Sequence, residues 1–169
     1  MTGNLIYEEK ISSSKTEAFF IGLAAIFLVL SIRRMSVAGL DVLGIVFLLF
    51  FVLFVFYCLN YRILIVRIAQ DSLKLKFGLF TWTIPPEDIG EIRPDDDIPA
   101  MMKYGGAGIH FLFVRGRYRA SFNFLEYPRV VIALKRKKGS VQDISFSTRR
   151  PEDVIKLLRD AASARAAAL

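Results

Sequence analysis

Cysteine and histidine are almost missing from this chain: Cys58 and His110 are each the sole residue of their type. One thiol cannot form a disulfide within the chain, and a single Cys with a single His cannot close a structural metal site. The lone cysteine fits a reducing compartment. A catalytic set is lacking as well. Ser121 has no acid in a recognisable order with His110, so a Ser–His–acid triad is not indicated, and His110 is expected to be structural. The Tyr104-Gly105-Gly106-Ala107-Gly108 stretch lacks the Lys-Ser/Thr and the following helix that a phosphate-cradling loop requires. Its glycines are expected to permit a sharp turn. Glu87, Asp88, Glu91, Asp95, Asp96 and Asp97 lack the ligand spacing, turn glycine and distal Glu of a calcium loop. They are expected to screen basic neighbours or to face a partner. The chain is therefore read as non-catalytic, with no metal, cofactor or small-molecule substrate.

Charge is the next absence. Residues 18–32 and 42–61 contain none, and from Ile45 to Phe56 every residue is apolar. A buried helix of a soluble fold usually keeps a polar stripe at the 3.6-residue period, and no such stripe exists here. The second run is long enough to span a bilayer unaided. The first covers about 23 Å at 1.5 Å per residue, short of the roughly 30 Å hydrocarbon core. Lys15, Arg33 and Arg34 can close that gap by extending their long stems to the interface. A cleaved signal peptide ending at Ser36-Val37-Ala38 is opposed by the two arginines that follow the apolar run.

Residues 33–41, with Gly39 as the turn element, leave room only for a helical hairpin, so both chain ends share one side. That side carries Lys10, Lys15, Arg62, Arg67, Lys74 and Lys76, against Arg33 and Arg34 in the loop. The positive-inside rule then predicts a multi-pass protein of the inner (cytoplasmic) membrane with both termini in the cytoplasm. The expected organisation is an N-terminal tail (1–17), two spans (18–32 and 42–61) joined by a loop (33–41), a β domain (62–162) and a fraying tail (163–169).

From Arg62 onward the apolar period changes to two. Residues 61–69, 72–77, 79–84, 109–114, 118–124, 130–134 and 141–146 read as about seven short strands joined largely by antiparallel hairpins, with room for a further short one at 89–92. Asp95 to Gly108 reads as a loop. Pro151, Glu152 and Asp153 open a helix whose apolar stripe is Val154, Leu157, Leu158 and Ala161, with Ile155 beside it. Such a helix would close an open end of a bent sheet or small barrel.

Three segments in this order carry a family resemblance: Gly78-Leu-Phe-Thr-Trp-Thr-Ile-Pro-Pro-Glu-Asp-Ile89, Tyr104-Gly-Gly-Ala-Gly-Ile109 and Phe146-Ser-Thr-Arg-Arg-Pro-Glu-Asp-Val-Ile155. They resemble the small prokaryotic membrane proteins that carry a pleckstrin-homology-like (PH-like) domain behind a transmembrane hairpin. The resemblance implies a fold and a topology: a PH-like bent sheet or barrel capped by a C-terminal helix. It also implies binding of lipids, peptides or other such domains. The first hairpin turn, Ala69-Gln70-Asp71, lacks the basic residues with which some PH domains hold phosphoinositides.

All of the net +7 lies beyond Tyr61, because residues 1–61 hold four basic and four acidic residues. Arg115, Arg117 and Arg119 alternate around one turn, Lys135, Arg136, Lys137 and Lys138 crowd another, and Arg149 and Arg150 follow. Together they are a candidate patch for anionic headgroups or an acidic protein partner. Tyr104, Gly105, Gly106 and Gly108 are candidate structural loop residues. Nucleic acid is not expected, because Phe122 and Phe124 alternate toward one face as core residues do. The leading expectation is a membrane-anchored interaction module that binds lipid or protein. The alternative is a small subunit or assembly factor of a larger membrane complex, binding or self-associating through the Phe-rich hairpin.

Overall fold

The two apolar runs fold as helices α1 (Ser14–Ala38) and α2 (Val42–Asn60) in a computed structural model that describes residues 4–95, 108–124 and 126–166. At 1.5 Å per residue they are about 37 Å and 28 Å long, and both are long and apolar enough to cross a membrane. The first therefore exceeds the charge-free window at both ends and carries Arg33 and Arg34 within its last turns. Its first turn is capped by Ser13, whose hydroxyl accepts from the Thr16 N–H at 3.0 Å. The hairpin turn is tighter than expected, spanning only Gly39 to Asp41. Asp41 caps α2 by accepting from the Gly44 N–H at 2.9 Å, and it takes a forked pair from Arg34 at 2.6 and 2.8 Å. The Arg34 bond, with the Gly44 N–H behind it, holds the Asp41 carboxyl below its ordinary pKa. Between the helices Ser31 donates to the Gly44 carbonyl at 3.2 Å, and Phe27 stacks on Phe50 and Phe54 at 5.0 and 5.4 Å.

The flanks of this hairpin are strands. Residues 5–12, read from the sequence as part of a tail, form β1 (Leu5–Ser12). It pairs antiparallel with β2 (Ile63–Ala69), Ser12 facing Ile63 and Glu9 facing Val66. β3 (Leu73–Phe77) and β4 (Phe80–Ile84) complete a four-stranded sheet in the order β1-β2-β3-β4. A 3₁₀ turn at Pro86–Asp88 leads to β5 (Ile89–Pro94). β6 (Gly108–Val114), β7 (Arg117–Asn123), β8 (Arg129–Lys138) and β9 (Val141–Ser147) follow, and the second sheet has the order β5-β8-β9-β7-β6.

Two expectations change here. The described strands number nine rather than about seven, and β7 and β9 run parallel, Arg119 beside Asp143 and Phe122 beside Phe146. The predicted hairpins β6–β7 and β8–β9 are present in antiparallel register.

One apolar core lies between the sheets. Ile11, Leu64, Val66, Leu73, Leu75 and Phe77 enter it from the first sheet; Ala120, Phe122, Phe124, Ile132, Ile144 and Phe146 enter from the second. Full burial of each large side chain stabilises the fold by about 1.5–3 kcal/mol. The C-terminal helix α3 (Pro151–Ala166) adds Val154, Ile155 and Leu158 to the core and packs beside β5, β8 and the 3₁₀ turn. It continues through Ala166, beyond the point where fraying was expected.

Candidate functional site

The nine candidate basic residues fall into three groups. The first projects from two turns. Arg115 (φ +50°) and Gly116 (φ +78°) make the two-residue turn of β6–β7, with the positive angles of a type I′ hairpin. Gly139 (φ +63°) turns β8 into β9. Because β7 and β9 are parallel neighbours, their first residues lie at the same end of the second sheet, and so do both turns. Arg115 and Lys135 to Lys138 are exposed there. The Lys138 ammonium donates to the Thr83 carbonyl at 3.1 Å and lies 5.1 Å from the Trp82 ring centroid, while Arg136 Nε approaches Asp88 at 3.8 Å. This corner is basic and solvated.

A second group is structural, which corrects the expectation of one continuous surface patch. Arg119 is 1% exposed and donates to Asp95 Oδ1 at 2.8 Å, with Asp143 at 3.7 Å. Arg129 lies 3.7 Å from the second Asp95 oxygen. Arg117, half-buried, donates to Asp143 at 2.8 Å and to the Gln142 carbonyl at 3.3 Å. The seam continues along the register: the hydroxyls of Ser121 and Ser145 meet at 2.6 Å, and Ser147 Oγ accepts from the Phe124 N–H at 3.0 Å. Hence β7 and β9 are buried on both faces, with Ala120, Phe122, Ile144 and Phe146 toward the core and Arg119, Ser121, Asp143 and Ser145 away from it. Asp95 belongs to this seam rather than to an acidic surface screen; Asp96 and Asp97 lie outside the described residues.

The third group, Arg149 and Arg150, sits after the other end of β9. A buried carboxylate from β1 holds this segment. Glu9 accepts from the Thr148 hydroxyl at 2.6 Å, the Arg149 N–H at 3.0 Å and the Tyr7 hydroxyl at 3.0 Å. The approach to α3 could have received an external anion, but the chain's own Glu9 occupies it. The guanidinium of Arg149 lies 5.3 Å from the Tyr127 ring centroid, and that of Arg150 lies 5.3 Å from the Tyr7 ring centroid. Burial raises the Tyr7 phenol above its ordinary pKa, and the Glu9 bond adds to the effect. Sequence reasoning missed Glu9. The available signal was a charge at an inward position, matched by hydroxyl and amide donors at the Thr148-Arg149 step.

The strand directions locate the basic turns relative to the helices. β6 starts at Gly108 (φ +100°), where an added Cβ would strike the Tyr61 ring just after α2. From Gly108 to Val114 is six steps of about 3.3 Å, which puts the β6–β7 turn roughly 20 Å farther along the strand. The basic turns thus project from the end of the second sheet remote from the helices. Of the glycine motif, Tyr104, Gly105 and Gly106 lie outside the described residues. Among the described residues, no three His, Cys, Asp or Glu side chains come together as a metal site requires. Comparison with family models, curated proteins and solved structures finds no match.

Proposed function

We propose that this chain is a membrane-anchored, non-catalytic interaction module. In this reading α1 and α2 cross the inner membrane as a hairpin, both termini and the β domain lie in the cytoplasm, and the basic turns receive an anionic partner. Two sheets around one core with a C-terminal helix support a PH-like module, from which the additional strand β1 and the parallel β7–β9 pair depart. The observation that carries the functional reading is the exposed cluster of Arg115 and Lys135 to Lys137, remote from the helices. At roughly 20 Å from the helix junction it lies beyond two Debye lengths at physiological salt, so an acidic protein segment is favoured over the membrane's own headgroups. Exposed charges of one sign speed encounter with such a partner more than they add to its affinity.

A photo-crosslinking amino acid in place of Lys137, in full-length protein within native membranes, tests this reading. A discrete protein adduct is expected, and it should disappear in a Lys135→Glu, Arg136→Glu background. Adducts to lipid alone would overturn the protein-partner reading.

One observation favours the second reading, a subunit of a larger membrane complex. A groove of about 290 Å³ runs between the helices, lined by Ala24, Ala25, Phe51, Val55, Cys58 and Leu59. Small residues beside a groove allow another helix to approach closely. A complex that retains its mass and loses no subunit when the basic turns are reversed in charge would support this alternative.

A further inference from the structure

At the helix-proximal end of the first sheet, apolar side chains stand outside the core. β3 is antiparallel to β2, which leaves α2, so β3 runs back toward the helices and the β3–β4 turn points the way they do. That turn is Gly78 and Leu79. Gly78 has φ +54°, as the first central residue of a type II′ hairpin requires. Leu79 is 81% exposed and Phe80 47% exposed. Turn tips are usually Gly, Asn, Asp, Pro or Ser, each for a conformational reason, and none of those reasons calls for leucine here.

The turn is also locked to the helix end. Asn60, the last residue of α2, is buried and accepts from the Leu79 N–H through Oδ1 at 2.8 Å. A Cβ on Gly78 would strike the Asn60 carbonyl. The Phe80 ring lies 6.5 Å from that of Tyr61, and Tyr61 packs edge-on against Phe77 at 5.2 Å. Leu59 and Ile63, exposed beside this junction, extend the same apolar surface down onto the helices. Lys15, Arg62 and Lys76 are exposed next to the strand and helix ends at this side of the sheet, Lys15 lying 3.7 Å from Glu126 and Arg62 3.6 Å from Glu17. Apolar tips at the same end of the sheet as long cations match the chemistry of a headgroup–acyl boundary, in which aromatic rings settle and lysine and arginine stems reach outward.

We propose that the β3–β4 turn is a third membrane contact: Leu79 and Phe80 enter the bilayer interface beside α2, while Lys15, Arg62 and Lys76 meet the headgroups. This rests on the reading that α1 and α2 span the bilayer. It makes the anchor a three-point mount instead of a flexible tether, and it fixes which end of the β domain faces the lipid.

The test uses the full chain with Cys58→Ala and a single new cysteine, labelled with an environment-sensitive fluorophore and reconstituted into phosphatidylcholine vesicles. Leu79→Cys probes the turn, Phe50→Cys the middle of α2 and Lys137→Cys the remote basic turn. The probe at 79 should be quenched most by lipids with a shallow spin label, that at 50 by a deep label, and that at 137 only by aqueous iodide. Before labelling, the thiol introduced by Leu79→Cys should react with a membrane-impermeant maleimide roughly tenfold more slowly than its counterpart at 137, because a thiol in apolar surroundings holds its proton. Quenching at 50 with iodide-type behaviour at 79 overturns the proposal. Lipid quenching at neither 50 nor 79 removes the spanning reading beneath it as well.

Discussion

The buried seam behind the second sheet and the exposed turns at its far end are built from the same residue types, yet they do different work. In the seam, Arg119 meets Asp143 in register across the β7–β9 pair and Asp95 from just beyond β5, all three buried. At the turns, Lys135 and Lys137 stand in solvent. Removing solvent from a charge costs several kcal/mol, so a buried arginine is tolerable only where carboxylates face it, whereas an exposed lysine needs no partner. A count of basic residues therefore does not measure a binding surface. Arg119 contributes to the domain's net charge but offers nothing to a ligand.

Four substitutions or titrations test this contrast. The largest effect is expected for Arg119→Ala, which takes from the buried Asp95 its 2.8 Å donor and leaves the buried Asp143 with Arg117 alone. It should destabilise the fold by about 3–5 kcal/mol, measured by denaturant unfolding of the detergent-solubilised chain. If it costs no more than Lys137→Ala, the contrast collapses. Next comes Glu9→Ala, which leaves the Thr148 hydroxyl and the Arg149 N–H without their acceptor and should cost about 1–3 kcal/mol. Loss of amide-exchange protection should concentrate in β1 and the start of α3. Third, the double variant Lys135→Glu, Arg136→Glu should change stability by less than about 0.5 kcal/mol while abolishing the adduct formed from the crosslinker at position 137. A large stability loss would move these two residues into the structural class.

The smallest effect is electrostatic. The Arg67 guanidinium, 2.8 Å from Glu8 across the β1–β2 pair, holds the Glu8 carboxyl below its ordinary pKa. A depressed folded value means that the contribution is complete above the unfolded value, near about 4.3, and is lost as pH falls through the lower folded value. Unfolding of Arg67→Gln should therefore track that of the wild type more closely at low pH than at neutral pH. Added salt should narrow the neutral-pH gap.

How much of this was legible depends on whether a residue's local pattern also names its neighbour. α2 declared itself by its unbroken apolar run, and β3 by strict alternation of Leu73, Leu75 and Phe77. α3 was visible in a proline at its start and an apolar stripe behind it. Phe122 and Phe124, read as core from alternation alone, are buried. β1 was hidden because Glu9 puts a charge at an inward position, and its compensating donors lie in a segment far along the chain. The parallel β7–β9 pair was hidden because a period of two identifies a strand but not its partner. For Arg119, alternation placed it on the same face as Arg115 and Arg117, and only the burial of that outer face separates their roles. A hint was present: Arg119, Ser121 and Asn123 on one strand complement Asp143, Ser145 and Ser147 on another.

The pairing of Ser12 with Ile63 gives the helical hairpin an unusual status. Strands β1 and β2 are an ordinary antiparallel pair whose connecting turn has been replaced by residues 13–62. Cutting the chain just before Arg62 would discard Ile11 from the core and Glu9 from the Thr148-Arg149 step, and would bare the edge of β2. Excising only the insert and rejoining the two strands through a short Asn-Gly link would retain every strand pairing. The apolar helical hairpin is thus a removable cassette, and the domain's boundary lies on both sides of it.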